Sequence, residues 1–505
     1  MPELTQTQET ISTAVEGLDA VLLGGFVRGG FYLIQGDPGS GKTTLAMQFV
    51  QARLKERERC LYFSLTESLI DLTNTCRSHG WSLDGLDLCD LATTAAALEN
   101  HSSVFHPADA ELTEITTKVL AEVTRIKPRY VVFDGLAELR LLSGDPLRYR
   151  RQLLLLKEFL AGEQTTVLLL DDRTASFAEI QPESLVGGNI VLERIMPGYG
   201  PARRRLSVTK VRGAVFRDGY HDYEIKTGGL IVHPRLVAGE HSVEFEPRLY
   251  SSGIANLDTM LAGGLNAGST TLLLGPAGAG KSTVSIQFVV NALRNGQRAA
   301  VYIFDEVRHI LIERSEKLCF GKRGGLEEFV TDGLLHIQQV DPVEMSPGAF
   351  AHEVRRCVDA GAKVVVIDSL NGYLNSMPEE RFLTTHLHEL FAYLNKKGVL
   401  SIIIVAQHGM IIGATQGEID VSYLADSVLM FRYYEAFGEV RQALSVFKKR
   451  TGPHERTIRE LKIDETGVHV GEPLRKFRGI MTGVPRYDGA VDDRDDDLRK
   501  VREGE

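Results

Sequence analysis

Short apolar runs recur along this chain of 505 residues, and two of them lead into glycine-rich segments. Residues 31–35 and 271–274 are predicted to be buried strands, because brief apolar runs that end at turn residues are typical of such strands. The segments that follow the glycines, residues 44–50 and 283–289, are predicted helices. The pattern strand, glycine-rich loop, helix therefore occurs twice.

Both glycine-rich loops match the phosphate-binding pattern G-x-x-x-x-G-K-[ST] in full. Glycines let backbone N–H groups turn towards phosphates, the lysine reaches the β- and γ-phosphates, and the hydroxyl residue ligates Mg²⁺. An ordinary glycine-rich turn with an incidental lysine is the alternative, and two matches in the same context argue against it. The predicted ATP-binding residues are Gly36-Asp37-Pro38-Gly39-Ser40-Gly41-Lys42-Thr43-Thr44 and Gly275-Pro276-Ala277-Gly278-Ala279-Gly280-Lys281-Ser282-Thr283.

An internal repeat with an offset of 239 residues extends beyond these loops, for example from Leu18-Asp19 to Leu257-Asp258. Repeats that alternate strands with helices predict an α/β fold, with two mostly parallel sheets flanked by helices. The predicted domains are residues 1–240 and 241–486. Residues 487–505 are charged and poor in large apolar groups, so a disordered acidic tail is predicted there.

An aspartate ends one further apolar strand in each half, at residues 130–134 and 364–368. Asp134 and Asp368 are predicted to support the Mg²⁺ that Thr43 and Ser282 ligate directly. An aspartate that caps the next helix is the alternative for each. Their paired occurrence downstream of paired phosphate loops favours the metal role.

Hydrolysis also needs a group that orients or deprotonates the attacking water. Glu67 follows the predicted strand 61–64, and Asp305 and Glu306 follow the predicted strand 300–304. We predict Glu67 and Glu306 as bases, with Asp305 as a second candidate in the second half. Acids that merely favour a helix N-terminus are the alternative.

A Lys-x-Arg pair lies on a predicted strand late in each half: Lys210 with Arg212, and Lys448 with Arg450. Residues two apart on a strand share a face. Each pair could reach the γ-phosphate of a neighbouring subunit in a ring, and solvated strand charges are the alternative.

Composition narrows the class of protein. The net charge is −10, from 57 basic and 67 acidic residues, which argues against avid nonspecific nucleic-acid binding. The five cysteines include no C-x-x-C pair, so a reducing compartment without a structural zinc site is expected. Neither a secretory signal nor a membrane-spanning run is visible, and a cytoplasmic location is predicted.

These motifs resemble the KaiC family of circadian clock ATPases, within the RecA-like superfamily, over residues 11–486. Besides the loops and Asp305-Glu306, the resemblance is carried by residues 420–426, 448–452, 454–460 and 479–485. It implies a double-ring homohexamer with ATP and Mg²⁺ at subunit interfaces. The first domain would be a slow ATPase, and the second a serine/threonine autokinase that also dephosphorylates itself.

The phosphoacceptor positions of that family correspond here to Ser422 and Tyr423, where a threonine is replaced by tyrosine. Three alternatives are open. Ser422 alone could accept phosphate, Tyr423 could act as a substitute acceptor, or neither residue is phosphorylated. The first half has Thr66-Glu67 where clock members have two glutamates. The resemblance leaves a KaiB-like partner or a signalling kinase as candidates, and the acidic tail gives no basis for KaiA-type regulation.

Two other function classes stay open at this point. A RecA-like DNA-dependent ATPase, of recombinase or helicase type, would show salt-dependent stimulation by single-stranded DNA. An ATP-gated scaffold would show ATP-dependent assembly with negligible turnover.

Overall fold

The computed structural model describes residues 9–91, 107–143, 145–173, 182–317, 325–341, 343–375, 383–406, 422–481 and 484–488. The chain divides into two compact units between Arg235 and Leu236. The domain limits at residues 240 and 486 stay a prediction. Most of the predicted acidic tail, from residue 489 onward, lies outside the described residues, as does the stretch 407–421 that precedes Ser422.

The first unit is built on a sheet whose described strands have the order β11-β10-β9-β8-β3-β7-β6-β4-β5. Strands β8, β3, β7, β6, β4 and β5 run parallel, while β9, β10 and β11 join by antiparallel pairing. The strands are β1 Thr10–Ile11, β2 Phe26–Val27, β3 Phe31–Gly36, β4 Cys60–Ser64, β5 Asp87–Asp90, β6 Tyr130–Asp134, β7 Thr166–Asp172, β8 Gly188–Ile195, β9 Arg203–Val211, β10 Tyr220–Lys226 and β11 Gly229–His233.

Helices cover both faces of this sheet. Alternate residues of β3 divide between two cores: Tyr32 and Ile34 pack with α2, and Phe31 and Leu33 pack beneath α4, α5 and α6. This period of two is what a strand buried on both faces requires. The helices are α1 Leu18–Val21, α2 Lys42–Lys55, α3 Leu69–Ser78, α4 Pro107–Ile126, α5 Leu136–Ser143 and α6 Pro146–Gly162, with 3₁₀ turns at Pro182–Ser184 and, in the second unit, Ala238–His241.

The second unit repeats the same architecture. Its described sheet has the order β16-β15-β17-β18-β14-β19-β20-β21-β22, so β14 takes the central position that β3 has in the first unit. The strands are β12 Leu249–Tyr250, β13 Leu265–Asn266, β14 Thr270–Gly275, β15 Arg298–Ile303, β16 Leu335–Gln339, β17 Ala362–Asp368, β18 Leu400–Ala406, β19 Ser427–Ala436, β20 Glu439–Lys449, β21 Ile458–Asp464, β22 Gly467–Pro473, β23 Phe477–Arg478 and β24 Arg486–Tyr487.

The remaining helices are α7 Ala255–Met260, α8 Lys281–Arg294, α9 Arg308–Lys317, α10 Leu326–Thr331, α11 Pro347–Asp359, α12 Leu370–Asn375 and α13 Leu383–Lys396, with a 3₁₀ turn at Ser422–Leu424. The predicted α/β class with two mostly parallel sheets is therefore confirmed. The predicted strands and helices around both phosphate loops are present, and β15 ends at Ile303, one residue earlier than predicted.

Candidate active sites

The first phosphate loop connects the central strand β3 to helix α2. Gly39 and Gly41 have φ values of +73° and +98°, which residues with a Cβ rarely adopt. Gly36 has no room for one, because a Cβ there would lie 2.4 Å from the carbonyl oxygen of Leu192. The loop thus presents backbone N–H groups at the N-terminus of α2, where the helix dipole favours an anion.

Lys42 lies across this loop. Its Nζ donates to the carbonyl oxygens of Gly36, at 2.9 Å, and Asp37, at 3.2 Å. It also forms an ion pair with Asp172, the last residue of β7. The lysine is therefore placed to receive phosphate oxygens, which would compete with the Asp172 carboxylate for it.

Thr43, Asp134 and Tyr62 form a hydrogen-bonded group beside the lysine. Thr43 Oγ1 donates to Asp134 Oδ2 at 3.0 Å, and the Tyr62 hydroxyl donates to the same oxygen at 2.5 Å. Burial raises the pKa of the Asp134 carboxyl, although both hydrogen bonds and Lys42 oppose the shift. A buried carboxylate next to a hydroxyl offers the oxygen atoms that a hard cation such as Mg²⁺ prefers.

Glu67 lies three residues beyond the end of β4, where Ser64 Oγ donates to its backbone carbonyl at 2.7 Å. Its side chain is half-buried, and its Oε2 has no hydrogen-bond partner within the part of the chain that the structure describes. Burial, Asp134 and Asp71 raise the pKa of this carboxyl, whereas Lys42 lowers it. An acid of this kind is a candidate proton acceptor.

The second phosphate loop has the same backbone form, with Gly278 and Gly280 at φ +75° and +92°. Lys281 Nζ donates to the carbonyl oxygens of Gly275, at 2.8 Å, and Pro276, at 2.6 Å. Burial lowers the pKa of this lysine, and Asp368 opposes the shift. A cavity of about 670 Å³ opens over the loop, with walls from α9 and β21.

Asp368 takes the position that Asp134 has in the first unit. Burial raises the pKa of its carboxyl, and so does Glu306, while a hydrogen bond from Ser282 lowers it. The Ser282 hydroxyl and this carboxylate again form a pair of oxygen ligands that suits Mg²⁺.

The carboxylate of Glu306 differs from that of Glu67 because Arg314 holds it. Arg314 Nε lies 3.2 Å from Oε1, and Arg314 Nη2 lies 2.9 Å from Oε2. The same guanidinium donates through Nη1 to Thr283 Oγ1 at 3.1 Å, which ties the acid to the start of α8. Asp305 accepts a hydrogen bond from Ser369 Oγ at 2.5 Å.

Among the described residues, the side-chain hydrogen bonds of the Lys-x-Arg pairs go to carbonyl oxygens in or next to the 3₁₀ turns beside them and not to the phosphate loops of their own units. Lys210 donates to Glu183 O at 2.7 Å and Arg212 to Ser184 O at 3.1 Å, in the 3₁₀ turn that precedes β8. Burial, Arg212 and Lys157 lower the pKa of the Lys210 amine. Arg212 and Arg450 each lie one residue beyond a strand, so the prediction that they lie on strands is wrong by one position.

The second pair has the same placement. Lys448 donates to Ala425 O at 2.7 Å, and Arg450 lies 3.9 Å from Asp426. Lys448 is opposite Val428, which pairs with Leu272 near the start of β14. The loop begins three residues later, roughly 10 Å along the strand. Both pairs therefore lie at the sheet edge opposite to their own loops.

The phosphoacceptor candidates lie at that same edge. Ser422 and Tyr423 form the 3₁₀ turn that precedes β19. The side chain of Ser422 lies outside the described residues, and Tyr423 is 53% exposed.

Comparison with known proteins now identifies the family. A family model described as "ATPase: KaiC" matches residues 11–237 and 250–475. The chain belongs to the KaiC family of ATPases. The predicted resemblance is thereby confirmed, and so are ATP binding and ATPase activity as the general function.

Curated members of the KaiC family align along nearly the whole chain. "Circadian clock protein KaiC3" of Synechocystis sp. is 24% identical over 95% of this chain and 95% of its own length. "Circadian clock oscillator protein KaiC" of Parasynechococcus marenigrum is 26% identical over 95% and 94%. The protein of the same name from Picosynechococcus sp. is 25% identical over 98% and 95%.

Four residues of these KaiC-type sites were not predicted from the sequence. Asp172 ends the strand beside β3, so the rule that parallel strands meet at one edge could have found it. Tyr62 has no such signal, since its role depends on the side of β4 that faces α2. The contacts of Arg314 and Ser369 depend on how α9 and the end of β17 pack.

No helix among the described residues is long and apolar enough to cross a membrane.

Proposed function

We propose that this chain is a signalling switch that assembles as a double-ring homohexamer, in which each ATP site is completed by the neighbouring subunit. The observation that carries the proposal is the position of the Lys-x-Arg pairs. They lie at the sheet edge opposite to their own phosphate loops, so they reach a γ-phosphate only in trans. A head-to-tail ring brings one subunit's loop against the next subunit's opposite edge.

In the first site, Lys42 would neutralise charge on the γ-phosphate, and Glu67 would orient and deprotonate the attacking water. Thr43 and Asp134 would hold Mg²⁺, and Tyr62 would fix the orientation of the Asp134 carboxylate. Mg²⁺ held by these two residues would supply positive charge against the negative charge that develops on the phosphates. Lys210 and Arg212 of the next subunit would contact the γ-phosphate from the other side.

In the second site, Lys281 would take the role of Lys42, with Ser282 and Asp368 as the metal ligands. Glu306, assisted by Asp305, would accept a proton from water or from the hydroxyl of a neighbouring subunit's phosphoacceptor. Ser422 is the first candidate acceptor and Tyr423 the second. Both belong to the edge that carries Lys448 and Arg450, which supports transfer between subunits rather than within one chain.

The names of the relatives suggest a biological role for the proposed ATPase switch. Those proteins are circadian clock proteins, and we propose a clock or related signalling role here, in the cytoplasm. A KaiB-like protein or a signalling kinase is the proposed partner. Nothing in either site favours the DNA-dependent ATPase. The ATP-gated scaffold with negligible turnover is not favoured either, because ATPase activity is the general function of the family.

The trans arrangement is tested by mixing inactive subunits. Lys42→Ala and Arg212→Ala chains, both carrying Glu306→Gln, are each expected to be inactive at the first site. In a ring built from both, about a quarter of the interfaces combine an intact loop with an intact edge. ATP hydrolysis should therefore return on mixing. Failure to return, with mixed rings demonstrated by native mass spectrometry, would refute the trans role.

Autophosphorylation is tested separately. The purified chain is incubated with Mg·ATP and analysed by intact-mass and peptide mass spectrometry, with Glu306→Gln as the control. Phosphate on Ser422 or Tyr423 that is absent from the control would establish an autokinase. ADP production without any phosphopeptide would leave an ATPase whose output is conformational.

A further inference from the structure

A histidine, a glutamate and a cysteine meet in the second unit on the face of the sheet opposite to helix α8. His336 belongs to β16, at the edge of the sheet, and Glu353 and Cys357 lie one turn apart on α11. One nitrogen, one oxygen and one sulfur atom from these side chains lie within 4.8 Å of one another. All three residues are half-buried, and 40% of the His336 side chain is exposed.

The first unit does not carry these residues, although it has the same strand order. The core valines of the two helices correspond, Val119 and Val123 in α4 and Val354 and Val358 in α11. The residues just before the valines of α4 are Lys118 and Glu122, where α11 has Glu353 and Cys357. The set of a histidine, a glutamate and a cysteine is therefore not part of the repeated sequence.

Nearby groups orient the three side chains. The Glu353 carboxylate lies 3.6 Å from His336 Nε2, and Tyr302 donates to the Glu353 backbone carbonyl at 3.4 Å. The Cys357 side chain lies within hydrogen-bonding reach of both His336 and Tyr302.

We propose that His336, Glu353 and Cys357 form a binding site for a borderline-soft divalent cation, with Zn²⁺ as the best match. Imidazole nitrogen, carboxylate oxygen and thiolate sulfur are the ligands that Zn²⁺ takes in proteins. Ligand atoms around tetrahedral zinc are separated by roughly 3.5 Å. Contraction by at most about 1.3 Å through side-chain rotation would close the site, and a water molecule would take the fourth position.

The ion pair between Glu353 and Arg356 is compatible with this site. Arg356 Nη2 lies 2.6 Å from Oε1 of Glu353. The same oxygen lies 3.6 Å from His336 Nε2. Rotation of the carboxylate would turn its second oxygen, Oε2, towards the metal while Oε1 stays with the guanidinium. Cysteine spacing does not indicate this site, because its ligands come from a strand and from a helix rather than from a C-x-x-C pair.

The test uses Co²⁺ as a spectroscopic probe for Zn²⁺, with the chelator-treated full chain and no nucleotide. We expect one Co²⁺ per chain, with tetrahedral d–d bands and a thiolate-to-cobalt charge-transfer band that Zn²⁺ displaces. Cys357→Ser should abolish the charge-transfer band. Glu353→Gln should weaken Zn²⁺ binding at least about tenfold, since even outer partners of metal ligands contribute that much.

Cys89→Ser is the matched control, because it makes the same change at a cysteine of the first unit, and it should keep the full spectrum. His336→Asn serves as the second variant if Cys357→Ser does not fold, and it should lose at least about tenfold in affinity. Absence of the charge-transfer band in the unmodified chain would overturn the proposal. Its persistence in Cys357→Ser would do so too, as would octahedral d–d bands alone.

Discussion

The first and second phosphate sites occupy the same place in sheets of the same strand order, yet they hold their acids differently. Glu67 leaves one carboxylate oxygen without a partner among the described residues, whereas two nitrogens of Arg314 bind Glu306. A carboxylate that lacks a cationic partner accepts a proton more readily than one in an ion pair. The first site is therefore better prepared for hydrolysis.

The loop lysines also differ between the two sites, and here it is the first site that has the additional ion pair. Lys42 pairs with Asp172 at the end of β7, while the residue in register at the end of β18 is Ala406. Lys281 is accordingly held by the carbonyl oxygens of its own loop. Within the described ranges, a carboxylate contacts the loop lysine in the first site and not in the second, so ATP must displace a carboxylate in the first site. One duplicated backbone thus supports a site with a competing anion and a site with a restrained acid.

The pH dependence should separate the sites most strongly. The pKa of Glu67 is raised above its usual value of 4.5, and only the ionised form accepts a proton from water. First-site hydrolysis should therefore fall as the pH drops through this raised pKa, by about tenfold per pH unit below it. The measurement is the rate of ADP release from the Glu306→Gln chain between pH 8 and the onset of acid unfolding. A rate that stays constant down to pH 4.5 would contradict the role of Glu67.

Arg314→Ala should raise second-site hydrolysis by up to about fivefold. The variant frees Glu306 from a partly exposed ion pair, which is worth at most about 1 kcal/mol. The measurement is ADP release in a Glu67→Gln background, so that the second site dominates.

Lys317→Ala is the control for Arg314, because Lys317 lines the same cavity one turn further along α9. This control should leave the rate within about twofold, since Lys317 pairs with Glu313, whereas the cation that pairs with Glu306 is Arg314. A loss of hydrolysis in Arg314→Ala would mean that the arginine acts on the nucleotide itself.

Asp172→Asn should strengthen ATP binding at the first site by about two- to fivefold. The change keeps the side-chain size and removes the charge that competes for Lys42, and Asp172 is exposed enough for solvent to screen the pair. Binding of a non-hydrolysable ATP analogue would be measured in a Lys281→Ala background. Weaker binding would indicate that Asp172 instead helps to hold the metal.

The sequence was sufficient for the parts of the sites that follow a local rule. A complete loop pattern predicts a strand before it and a helix after it, and both are present at Lys42 and Lys281. Asp134 and Asp368 were found because an apolar strand that ends in aspartate is also a local signal.

The partners of these residues depend on tertiary packing, which a single sequence does not display. Arg314 reaches Glu306 because α9 runs back over the loop, and the Lys-x-Arg pairs lie far from their own loops because β9 and β20 run antiparallel to the strands beside them. The cluster of His336, Glu353 and Cys357 forms across an edge strand and a helix that are separate in sequence.

The most direct test of the proposed division of work compares Glu67→Gln with Glu306→Gln in the full chain, with ADP release measured under saturating Mg·ATP. We predict that Glu67→Gln lowers the turnover of the first site by about 100-fold. Total turnover should then fall until the residual rate of the second site limits the decrease. Glu306→Gln should retain at least half of it. If Glu306→Gln lost most of the turnover while Glu67→Gln kept it, the assignment of hydrolysis to the first site would be contradicted.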